Sequence, residues 1–172
     1  KVEFVGTLPD RVTAKDMVLR LIGEIGTAGG TGSVFEFCGE AVKALSMEGR
    51  MTMCNMSIEG GARAGLIAPD QTTFDYIKAQ HRPFAPQGAA LDAAIEDWKK
   101  LPSDPDAVFD RELTIDVSDL APQVTWGTSP GMVIDVDKPV PQLDGVPGYS
   151  EGDVQKALDY MGLNAGDTLS GH

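Results

Sequence analysis

Residues 51–59, MTMCNMSIE, place an amide and a carboxylate, Asn55 and Glu59, four positions apart in a stretch otherwise rich in methionine. An asparagine side chain both donates and accepts hydrogen bonds, and a glutamate orients a water or hydroxyl or exchanges a proton with it. At i and i+4 on a helix the two share a face. Two readings fit. In one, the pair is a solvated polar stripe and Met51, Met53, Met56 and Ile58 supply the core side. In the other it faces a cleft, and the EGGARAG run from Glu59 to Gly65, which lets backbone come close, suits a cleft wall.

The remaining chemistry-bearing residues are sparse. His81 and His172 are the only histidines. Neither has a second histidine or a cysteine at metal-ligand spacing, so neither a metal nor a triad role is read for them. Cys38 and Cys54, sixteen residues apart with no CxxC, cannot form a four-thiolate site and read as reduced thiols. No GxSxG serine motif is present. The glycine-rich GTAGGTGS, residues 26–33, lacks the lysine of a P-loop and the GxGxxG spacing. It follows a helix and precedes a strand, the reverse of both nucleotide motifs. It reads as a place where glycines allow close backbone packing.

The elements that must position these residues follow from periodicity and punctuation. VEFVGTLPD alternates and then meets proline, which predicts a strand over 2–8. Thr13 and Asp16 mark a helix start, Met17, Val18, Leu21, Ile22 and Ile25 share one face, and Gly26 ends the helix. Val34–Cys38 predicts a buried strand, Glu40–Leu45 a short helix, and Ser46 caps a helix from about Met47 to Ala62. A strand over Ala64–Ala68, a helix over 71–80 capped by Asp70, a helix over 89–100 and a strand over 112–117 follow. Residues 121–149, with many prolines and glycines and little periodicity, read as an irregular excursion, and 151–163 as a closing amphipathic helix. Strands alternate with helices, so the class is α/β or α+β.

Composition bounds the rest. The 172 residues suit one domain, or one domain with a long tail, and 42% hydrophobic with 23% charged residues is ordinary for a folded chain. Lys+Arg 14 against Asp+Glu 26 leaves a net charge of −12, which argues against nucleic acid or an anionic membrane as partner. No apolar run reaches membrane-spanning length and no signal-peptide core opens the chain, so the expected compartment is the cytoplasm.

Two stretches, CNMSIEGGARAGLIAPD (54–70) and PQVTWGTSPG (122–131), are specific, and together with IGTAGGTGSVFEFCGEAVKALSMEG they resemble the large subunits of 3-isopropylmalate dehydratases in the aconitase superfamily. The resemblance runs from TAKDMVL to ALDYMGL in consistent order. Homoaconitases and related 2-alkylmalate dehydratases share most of it. It implies a three-layer α/β/α domain with a mostly parallel sheet, and a hydro-lyase using a [4Fe–4S] cluster that interconverts 2- and 3-isopropylmalate in leucine biosynthesis. In the family, the asparagine and glutamate of CNM-x-x-E lie beside the cluster and its bound water; those positions match Asn55 and Glu59.

The departures are equally specific. The family's cluster cysteines, one in SCTN and two in CxxC, have no counterpart here, and Cys38 and Cys54 match none of them. No residue of this chain is therefore assigned as a metal ligand, and no cluster is expected on this segment alone. The upstream catalytic histidine and aspartate and the downstream substrate arginines have no counterpart either. Ser33 stands where many bacterial relatives carry histidine. The opening KVEFVG has no initiator methionine, so the expectation is an internal piece, inactive alone, whose partners are the remaining domains of a large subunit, a small subunit and an alkylmalate substrate. The competing expectation is a free-standing binding module that kept the fold and lost the chemistry. The expected division is an α/β domain over 1–120, a connecting segment over 121–149, and a C-terminal helix over 150–172 that leads to the next domain.

Overall fold

Alternation in VEFV buries Val2 and Phe4 on one face and leaves Glu3 and Val5 on the other, which makes β1 (Val2–Val5) a strand with a single core face. The computed structural model describes residues 1–80 and 82–169; His81 and His172, weighed above, lie outside the described residues. After β1 come α1 (Ala14–Ile25), β2 (Phe35–Cys38), α2 (Glu40–Lys43), α3 (Met47–Met56), β3 (Gly65–Ile67), α4 (Gln71–Ala79), α5 (Ala89–Trp98) and β4 (Leu113–Asp116). The chain continues through β5 (Gln123–Thr125), β6 (Val133–Asp135) and α6 (Glu151–Met161). No helix among the described residues is long and apolar enough to cross a membrane.

The four-stranded sheet has the order β3-β2-β1-β4, and every pairing is parallel. The parallel α/β architecture agrees with the expected class. Val2, Phe4, Phe35, Phe37 and Ile115 point into one apolar core with Met17, Val18, Leu21 and Ile22 of α1 and Met53 of α3. Phe4 and Phe37 lie with ring centroids 6.3 Å apart, and Phe35 meets Phe37 edge-on at 5.9 Å. The other sheet face carries Glu3, Glu36, Cys38, Thr114 and Asp116, half-buried to exposed. Ser103, just past α5, donates to Glu36 Oε2 on that face at 2.7 Å. The rings of Phe74 in α4 and Trp98 in α5 stack at 6.5 Å.

Helix starts follow the local chemistry. Asp16 Oδ2 accepts from the Thr13 amide at 2.6 Å and from its hydroxyl at 2.8 Å. Ser46, Asp70 and Ser150 each accept from the amide three residues on. One boundary differs from expectation. α3 stops at Met56 rather than near Ala62. Ser57, fully buried, turns its hydroxyl back onto the Met53 carbonyl at 3.0 Å, and the next amides make i→i+3 bonds (Glu59 to Met56, Gly60 to Ser57, Gly61 to Ile58) that tighten the chain into turns.

Within residues 121–149 the chain forms more regular structure than its composition suggests: β5 and β6 pair antiparallel, Gln123 opposite Asp135 and Thr125 opposite Val133. They build a second apolar cluster with α6, centred on Trp126, Met132, Val154, Ala157 and Leu158. This unit joins the first core through α1. The second carboxylate oxygen of Asp16, Oδ1, accepts from the Gln123 amide at 2.7 Å. Gly23 admits Val133, whose Cγ1 would lie 2.7 Å from any Cβ placed there.

Candidate functional site

Glu59 sits in the turn after α3, not on the helix, so the pair does not share a helical face along its whole length. Asn55 occupies the last turn of α3 and Glu59 the tightened turns beyond. Both side chains are exposed, and neither takes a hydrogen-bond partner among the described residues. The turn itself is held from three sides. The Gly30 amide donates to Gly60 O at 2.8 Å, the Arg63 amide to Ser33 O at 2.9 Å, and the Phe35 amide to Ala64 O at 3.0 Å. The glycine loop thus packs against the Glu59 turn. Gly61 has φ +85, and a Cβ there would meet Thr27 O at 2.8 Å, so glycine is required twice over.

Beyond this turn the surface opens into a groove of about 930 Å³. Its walls come from Lys15 and Leu19 of α1, Met56 at the end of α3, Glu59 in the turn beyond it, β5, the Gly127–Pro130 turn, and Tyr160 with Met161 at the end of α6. The two motif stretches that carry the resemblance therefore meet here: Glu59 from one, and Gln123 to Pro130 from the other. Asn55 does not line the groove. Trp126, almost fully buried, anchors the turn from below, its amide bonded to Met132 O at 3.0 Å. Ser129 Oγ lies 2.9 Å from the Tyr149 hydroxyl and accepts from the Gly131 amide at 3.2 Å, which fixes the groove rim.

The thiols stand apart from this groove. Cys38 and Cys54 are free and half-buried, and burial pushes both up from the ordinary thiol range; Glu3 adds to the effect at Cys38. Neither lines the groove, and no three histidine, cysteine, aspartate or glutamate side chains gather as a metal site among the described residues. A [4Fe–4S] cluster needs thiolate ligands, so this chain's donor set does not fit as its holder.

Two features escaped the sequence. Lys15 faces the groove, yet nothing in TAKD distinguishes it from a surface lysine at a helix start. Arg50, only 3% exposed, forks onto Asp70 with bonds of 2.6 and 2.8 Å and also donates to the Leu45 and Lys43 carbonyls. That ion pair holds α3 to the start of α4 and holds the Asp70 carboxyl below its ordinary value.

The chain is similar along its length to known proteins. The sequence profile of the aconitase family (aconitate hydratase) matches residues 1–172. A 3-isopropylmalate dehydratase large subunit from Cytophaga hutchinsonii is 55% identical over 171 residues, which is 99% of this chain and 36% of that protein. The chain spans little more than a third of that relative's length. With a parallel α/β sheet, both motif stretches on one groove and the family profile matched from end to end, the chain belongs to the aconitase family.

Proposed function

We propose that this chain is the part of a 3-isopropylmalate dehydratase large subunit that forms one wall of the active site, and that the complete enzyme, with its small subunit, is a hydro-lyase interconverting 2- and 3-isopropylmalate. The observation that carries the reading is the convergence of Glu59 and the 123–130 segment on one open groove. The [4Fe–4S] cluster that the resemblance implies is held by parts of the large subunit outside this sequence, because the thiols here are few and lie away from the groove.

Glu59 orients the substrate hydroxyl and protonates it as its C–O bond breaks, so that it leaves as water while a base outside this sequence takes the proton from the neighbouring carbon. Water then adds back across the resulting double bond in the opposite orientation, and Glu59 recovers its proton from that water. The exposure of Glu59, with no hydrogen-bond or ion-pair partner among the described residues, leaves the carboxylate free to do so. Asn55, one turn back on α3 and exposed, offers both a donor and an acceptor to a group bound beside the groove.

The test is Glu59→Gln in the full-length large subunit assembled with its small subunit. Turnover of 2-isopropylmalate is expected to fall by about 10²–10⁴-fold, the range of a lost general acid–base group. The urea midpoint should stay unchanged, since Glu59 is exposed and takes no hydrogen-bond or ion-pair partner among the described residues. Near-normal turnover would reject the role, and a preference for the homoaconitase substrate would move the enzyme to that sister activity.

A further inference from the structure

Lys15 is an exposed cation on the groove that also holds Glu59, and among the described residues it makes no ion pair. The chain carries a net charge of −12, and Lys15 is the one lysine or arginine among the described residues that line this groove. Other donors share the wall. Thr125 and Thr128, each carrying a hydroxyl, are among its lining residues. Gly127, Thr128 and Ser129 line the same groove, and their backbone amides have no protein acceptor among the described residues. Successive free amides beside a lysine bind anions.

We propose that Lys15, together with the Thr128 hydroxyl and the 127–129 amides, forms a carboxylate subsite that holds one end of a hydroxy-dicarboxylate while Glu59 addresses its hydroxyl. The proposal rests on the reading of the groove as the substrate site. A single lysine without an arginine fork suits one carboxylate rather than a phosphate, whose higher charge the acidic chain would repel. The subsite needs no group from outside this sequence. Lys15 binds the substrate without touching the reacting carbons, so its loss should weaken binding more than it slows the chemical step.

The experiment compares Lys15→Met, Lys15→Arg and Glu59→Gln in the full-length large subunit with its small subunit, using the 2- and 3-isopropylmalates. Lys15→Met is expected to raise KM about 10- to 100-fold, the range of a lost hydrogen bond to a charged group, with kcat changed no more than a few-fold. Lys15→Arg should recover most of the KM. The wild-type KM should rise with salt while that of Lys15→Met should not. A KM within twofold of wild type in Lys15→Met overturns the subsite. If Glu59→Gln still abolishes turnover in that case, the groove reading survives and only Lys15 falls. If both variants are normal, the groove itself is not the site. A raised KM in Lys15→Met with a harmless Glu59→Gln would keep the subsite and remove Glu59 from the chemistry.

Discussion

Arg50 shows how much a single residue decides in this fold. A guanidinium at 3% exposure is tolerable only because Asp70 and two carbonyls take its hydrogens. The Arg50 hydrogen bond, first of all, holds the Asp70 carboxyl below its ordinary value of 3.8, so its proton affinity is lower folded than unfolded. The stabilisation is therefore complete above pH 3.8 and is lost as pH falls through the depressed folded value. Asp70→Asn keeps the helix cap and removes the charge. Its urea midpoint should lie below that of wild type near neutrality, and the two should converge in acid. Removing one partner of a buried pair costs about 3–5 kcal/mol. Asp70 is 38% exposed on its side chain, so a loss at or below the lower end of that range is expected. Parallel acid titrations of the two proteins would expose a different cause if the gap between them did not close.

At the scale of elements, the Glu59 turn depends on two segments that are far from contiguous. The glycine loop after α1 and the turn after α3 meet through the Gly30–Gly60 bond, and Gly61 at φ +85 lets them touch. Gly61→Ala should cost about 1–3 kcal/mol, because an L-residue is strained at that angle and the Thr27 carbonyl that a Cβ would strike is backbone. The same variant in the complete enzyme should lower turnover through displacement of Glu59. Equal denaturant midpoints for Gly61→Ala and wild type would show that the turn relaxes freely. The glycine loop, legible only as close packing, is thereby tied to the candidate site. Its sequence carried no hint of which neighbour it packs against.

On the scale of the whole molecule, two apolar clusters meet along α1, and Asp16 ties them by capping the helix while accepting from the Gln123 amide. Asp16→Ala should remove about 1 kcal/mol through the cap alone. It should also loosen the β5–β6 and α6 unit from the rest. Trp126, buried in the second cluster, reports on that unit when Trp98 is replaced by Phe. In this background Trp126 fluorescence is expected to change at lower urea than far-UV circular dichroism, a departure from two-state behaviour. Coincident transitions would mean that the clusters unfold together without the Asp16 tether.

Local sequence by itself determined most of the elements, because caps and periodicity act over a few residues. Thr13, Ser46, Asp70 and Gly26 mark real helix ends, and the alternation in VEFV and the apolar run VFEFC mark real strands. Family membership was legible for a similar reason: CNMSIEGG and PQVTWGTSPG are contiguous strings. Tertiary structure decided the rest. The β3-β2-β1-β4 order is set by which strands find each other across long connections, which no local period encodes. The early end of α3 at Met56 comes from Ser57 turning inward beneath Gly65, whose absent Cβ leaves room for that hydroxyl. The groove joins residues from Lys15 to Met161, and a cavity is a property of packed surfaces rather than of any segment.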